Sequence, residues 1–314
     1  MAAQEEKLVS QSVTQGEAIK NLSSQVNQNL TSQIKKINNH VDDLVEKTEE
    51  NIHYLTYKFN KAKKEGIKVE LVKAEEKLKK EKLEVKDNVE LDYFLFENKF
   101  RGTEKNIKKR QEQYLPYYNE RKNIVDLGCG RGEFLELMSE HHIPVTGIDV
   151  YDEFVQYCQD KGLNAKEADA LSYMQSLEDN SIDGIFMSQV AEHLESGYLL
   201  NLLAQSYAKL QKGSYFIAET PNPTSLITFT KTFYLDPTHI KPVHPETFKF
   251  MLEFVGFKEV QIVYTESSKP ELDYRFPLLN SSNVANLEEF NSGINCITEL
   301  LLGGSLDYAV IARK

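Results

Sequence analysis

Three glycines at alternate positions, Gly128, Gly130 and Gly132, follow the apolar pair Ile124-Val125 in the run Asp126-Leu127-Gly128-Cys129-Gly130-Arg131-Gly132-Glu133-Phe134. Glycine takes positive φ freely and lets a ligand lie against bare backbone, so this spacing predicts a strand, a tight turn and a helix start with a ligand on the turn. A second short segment, Val145-Thr146-Gly147-Ile148, ends in Asp149, whose carboxylate can accept both hydroxyls of a ribose. Together they imply a nucleotide-like ligand. A dinucleotide fingerprint would read G-x-G-x-x-G; here the third glycine comes one residue early, and Asp126 and Glu133 flank the loop. Two acids disfavour a pyrophosphate and suit a sulfonium or an amine.

A second group of chemically capable residues lies further along. Glu192-His193 follows the apolar stretch Ser181 to Ser188, and a later loop, Tyr234 to Pro245, carries His239 and His244 between prolines that would stiffen it. Histidine serves as a proton acceptor or as a metal ligand near neutral pH.

To position these groups the chain needs a parallel sheet. The D-x-G-x-G-x-G loop with its downstream Asp149 resembles class I S-adenosylmethionine-dependent methyltransferases, over roughly residues 100 to 314. That resemblance implies an α/β fold: a Rossmann-like seven-stranded methyltransferase sheet whose last two strands form an antiparallel pair. It also implies S-adenosylmethionine as cofactor, held by Asp126, Gly128, Cys129, Gly130, Asp149 and Val150. Asp169 would meet the adenine amino group, Ala170 would offer its amide, and Gln189 would border the methyl group. Strand four is expected over 181–188, strand five over 213–219, a helix from Pro245 to Gly256, and strands six and seven over 260–264 and 307–312.

The segment Phe100-Arg101-Gly102-Thr103-Glu104 through Ile107, Arg110, Tyr114 and Leu115-Pro116 narrows the resemblance to methyltransferases of bacterial surface-polysaccharide and O-antigen synthesis. A helix there would close over the methionine end of the cofactor, with Arg110, then Arg101, as the guanidinium for its carboxylate. Similar enzymes of the ubiquinone pathway and of small-RNA 3′ ends show E-x-x-E-H after strand four and a histidine after strand five, holding a divalent ion against a diol. Here Gln189 replaces the first glutamate, leaving Glu192, His193 and His239 as an incomplete set for magnesium or manganese. Metal ligation, metal-free base catalysis by His193 or His239, and a structural histidine all stay open. The resemblance implies an O-methyltransferase acting on a sugar hydroxyl or glycan-linked phosphate. A small-molecule or quinone-type methyltransferase is the second reading, and a non-catalytic scaffold that binds cofactor is the third.

The N-terminal part follows another pattern. Apolar residues recur at Ile19, Leu22, Val26, Leu30, Ile34, Ile37, Val41, Leu44, Ile52, Leu55 and Phe59, spaced mostly by three and four, which predicts a helix with a coiled-coil seam and self-association. The consecutive fours resemble a stutter. The expected organisation is an oligomerisation helix over 1–62, a charged helical connector over 63–99 and the enzyme domain over 100–314. Within the last, about 100–220 would hold the cofactor, about 221–245 form the acceptor loop and about 268–304 an insertion.

Composition sets outer limits. The net charge of −11 argues against general nucleic-acid binding. Cys129, Cys158 and Cys296 have no zinc-like spacing. With no apolar run of spanning length, the expected location is the cytoplasm; the resemblance adds the periphery of the inner membrane, and implies a glycan or small-molecule acceptor and a glycosyltransferase complex as partners beside a second copy of the chain.

Overall fold

The computed structural model describes residues 2–64, 92–268, 286–302 and 304–314. Most of the expected connector and the first half of the expected insertion lie outside the described residues. The chain divides into two compact units, residues 1–103 and 104–314. Among the described residues no helix is long and apolar enough to cross a membrane.

The first unit is a single 63-residue helix, α1 (Ala2–Lys64), followed by the short α2 (Tyr93–Phe100). Tyr54 of α1 stacks on Phe94 with ring centroids 4.0 Å apart and directs its hydroxyl to Asp92, which also caps α2 by accepting from Leu95 N at 3.0 Å. Those aromatics bury one face of α1. The seam residues from Val26 to Phe59 lie on another face and are exposed, Val26 to 57% and Ile37 to 62%.

The second unit is built on seven strands: β1 (Ile124–Leu127), β2 (Val145–Asp149), β3 (Ala165–Glu167), β4 (Ile182–Ser188), β5 (Leu210–Pro221), β6 (Lys258–Tyr264) and β7 (Asp307–Arg313). Their order is β3-β2-β1-β4-β5-β7-β6, with the first five parallel and β7 antiparallel to both β5 and β6. Strand order reverses between β1 and β4, so a crevice opens beyond their C-terminal ends, where ligands bind in such sheets. Strand β4 is apolar almost throughout because both its faces are covered. On one face Phe186 stacks on Phe134 at 4.0 Å; on the other Ile185, Leu202, Phe216 and Phe248 pack together. Truncating a ring so buried costs about 3–5 kcal/mol.

One expectation is corrected here. Strand β5 starts at Leu210 and continues through Thr220-Pro221, which pair with Tyr308 and Asp307 instead of forming a loop. Proline is tolerated because it ends the strand. The described part of the expected insertion contains a helix, Leu287–Leu302.

Candidate functional site

Beyond β1 the glycine turn leads into helix α3 (Glu133–Glu140). Gly128 and Cys129 donate to the Ile148 carbonyl at 2.7 and 3.1 Å, while the Asp149 carboxylate accepts from Gly130 N at 2.9 Å and Tyr151 N at 3.0 Å. Turn and β2 are thereby locked together, with the Asp149 carboxylate at their junction. Gly128 has φ +77, and a Cβ there would stand 2.3 Å from Cγ2 of Val190. The sequence places a ligand against this glycine; the structure puts the protein's own β4 loop there, so Gly128 is required first by packing.

The other residues expected in this half have the following surroundings. Glu133 does not offer a free negative charge to the crevice, because Arg131, fully buried in the same loop, pairs with it at 2.7 Å. Losing one partner of such a pair costs about 3–5 kcal/mol. Asp169 caps the helix that starts at Ala170, accepting from Ser172 N at 2.8 Å and from the Tyr198 hydroxyl at 2.5 Å. Burial pushes its carboxyl up, but these hydrogen bonds outweigh it and hold it below the usual range. Val150 is 57% exposed at the rim, and Asp126 is buried in β1. Contact with Cys158 and burial raise the Cys129 thiol well above its usual value, so it is a packing residue.

Helix Glu104–Gln111 carries Arg110. Lys161 latches this helix down, reaching Glu104 and Glu136 at 2.5 Å each. Arg110 donates to Asp307 at 2.6 Å and lies 3.8 Å from Glu219, while its buried Nε has no hydrogen-bond partner in the structure and so keeps a donor for a ligand carboxylate. Gln189, at φ +56, gives its backbone N–H to Glu219 O at 2.8 Å and its amide to Asp307 at 3.3 Å. Its side chain is thus tied to the carboxylates of β5 and β7. The Tyr114 hydroxyl donates to the buried Glu219 carboxylate at 2.5 Å. Burial, then Asp307, raises the Glu219 carboxyl; Arg110 and Tyr114 oppose that shift. Sequence reading missed Tyr114, Glu219 and Asp307 as site residues; an acid closing an apolar strand was the available signal. Arg101 belongs to the first unit, where it pairs with Glu97 at 3.1 Å.

The loops after β4 and β5 bring together the three residues expected on the acceptor side. One ligand atom each from Glu192, His193 and His239 lies within 4.8 Å of the others. His239 Nδ1 stands 2.6 Å from the Phe233 carbonyl, which can only accept, so the proton is on Nδ1 and the Nε2 lone pair faces Glu192 Oε1 at 3.9 Å. His193 Nδ1 meets Thr238 Oγ1 at 2.9 Å, and that hydroxyl donates to Asp236 at 2.6 Å, so Thr238 accepts from the N–H at His193 Nδ1. Thr220 fixes the other Glu192 oxygen at 2.8 Å. Burial lowers the His239 imidazole below its usual value despite the Phe233 carbonyl and Asp236, which keeps it neutral. Such outer partners orient imidazoles for a metal or a proton. His244 instead caps the helix Pro245–Val255 through Glu246 N.

Comparison with known proteins agrees with this geometry. The family described as "Methyltransferase domain" matches residues 99–262. A solved S-adenosylmethionine-dependent methyltransferase from Archaeoglobus fulgidus is 42% identical, with a TM-score of 0.64, the match covering 71% of this chain and all of that one. A possible histamine N-methyltransferase from Thermotoga maritima is 16% identical with a TM-score of 0.46, covering 67% of this chain and 90% of that one. No curated protein matches. The glycine turn locked to Asp149 thus stands within a family match over residues 99–262 and a 42% identical solved structure, and this chain belongs to the S-adenosylmethionine-dependent methyltransferases.

Proposed function

We propose that the enzyme methylates a hydroxyl of a sugar, or a glycan-linked phosphate, in surface-polysaccharide synthesis. The observation that carries O-methylation is the convergence of Glu192, His193 and His239, with the His239 Nε2 unprotonated. A sugar hydroxyl is a poor nucleophile until its proton is taken. The acceptor oxygen would bond to the methyl carbon as the carbon–sulfur bond breaks, and the proton would pass to a histidine Nε2. The acceptor class is supported by the Phe100 to Pro116 segment and its likeness to polysaccharide methyltransferases.

The same three residues fit a divalent ion: two imidazoles and a carboxylate suit manganese or another first-row ion better than magnesium, which prefers oxygen. Such an ion would lower the pKa of the acceptor hydroxyl. A quinone-type small molecule is the second reading, favoured by the exposed apolar side chains Leu226, Tyr234 and Ile240 around the acceptor loop. Self-association through α1 completes the proposal.

Replacing His193 or His239 by alanine should leave S-adenosylmethionine affinity within about twofold while methyl transfer falls roughly a hundredfold. Calorimetry and radiolabel transfer to a panel of glycans and quinols measure the two. Full turnover in both variants would put the acceptor elsewhere. Activity lost in EDTA and restored by manganese supports the ion; full activity in chelator leaves the histidine as base.

A further inference from the structure

The exposed stripe of α1 has an internal symmetry. From Val26 through Thr48 to Ile52 its members are spaced 4, 4, 3, 4, 3, 4 and 4, a series that reads the same in both directions about Asn39. The mean spacing is about 3.7 residues, nearer the 3.6 of a straight α-helix than the 3.5 of a left-handed supercoil, so at 100° per residue the stripe stays within an arc of about 80°. A partner can therefore lie straight along it. Tyr54, which stacks on Phe94, and the buried Tyr57 beside it occupy the opposite face and leave the stripe clear.

We infer that two copies of this chain pair antiparallel through α1, with the two-fold axis at the level of Asn39. In that arrangement Val26 meets Ile52, Ile34 meets Leu44, and Ile37 meets Val41. Leu30 meets Thr48, whose hydroxyl already donates to the Leu44 carbonyl at 2.7 Å, so burying it strands no donor. Charge selects the direction. Residues 42–50 carry Asp42, Asp43, Glu46, Glu49 and Glu50 against Lys47 alone. A parallel pair would set this acidic stretch beside its own copy; the antiparallel pair sets it at the level of residues 28–36, which hold Lys35 and Lys36 and no acid. The inference rests on the self-association reading and adds its stoichiometry and direction.

The test uses the full-length chain with the exposed Cys296 changed to serine, Cys129 and Cys158 being buried. A nitroxide on Thr56→Cys should give, by pulsed electron resonance, a distance of about 50 Å between copies if they are antiparallel and under about 20 Å if parallel. Light scattering should report a dimer, and Ile37→Asp should convert it to a monomer that still binds S-adenosylmethionine. A dimer with the short distance overturns the direction, and a trimer overturns the stoichiometry. A monomeric parent, or a dimer that survives Ile37→Asp, removes the seam itself. Cofactor binding is read in every sample, so none of these failures is confused with a failure of the enzyme reading.

Discussion

At the β1–β2 end of the sheet the groups that form the site are the backbone of one turn and a carboxylate 19 residues from the amide it holds. At the β4–β5 end they are side chains from distant segments: His193 and Thr238 are 45 residues apart, Tyr114 and Glu219 are 105, and Arg110 and Asp307 are 197. Backbone groups are positioned by the fold alone, whatever the side chains, and so can serve a cofactor common to many enzymes. Side-chain groups need outer partners to set their protons, and those partners can change with the acceptor. The two ends meet where Val190 packs against Gly128.

Breaking that meeting point should have the largest effect. Gly128→Val combines a β-branched residue at φ +77 with a Cβ 2.3 Å from Val190, so the turn or the β4 loop must move. No measurable cofactor binding and a lowered melting temperature are expected; normal calorimetric affinity would mean the two loops do not touch. Next in size is Asp149→Ala. It removes the carboxylate that holds Gly130 N and Tyr151 N and that would accept the ribose, and should weaken S-adenosylmethionine binding by about 2–3 kcal/mol in a folded protein. Unchanged affinity would place the ribose elsewhere. The smallest effect sharpens the contrast from the acceptor side. Thr238→Val deletes the hydroxyl that sets the His193 proton while touching no cofactor group, so turnover should fall about tenfold with affinity unchanged. A matching loss of cofactor affinity would show that the two ends are not separable.

Much of this was legible before any coordinates. The strand, turn and helix around Gly128, the terminal Asp149, the histidine pair on either side of β5 and the antiparallel last strands all stand where spacing and resemblance put them. These features are local, or follow from strand order, and period and glycine placement encode both. The boundaries of β5 were less legible, because its pairing with β7 extends the strand past its apolar run.

What the sequence by itself determined is the fold class, the glycine turn after β1 and the identity of the three converging residues Glu192, His193 and His239. Only the tertiary structure decided which charges are neutralised: Arg131 cancels Glu133 inside the loop, and Asp307 engages both Arg110 and Gln189 from the far end of the chain. It also decided the proton positions on His193 and His239, through Thr238 and the Phe233 carbonyl. A residue type states which hydrogen bonds and charges are available. Which of them face a ligand, and in which protonation state, depends on neighbours that chain folding brings within about 3 Å from far along the sequence.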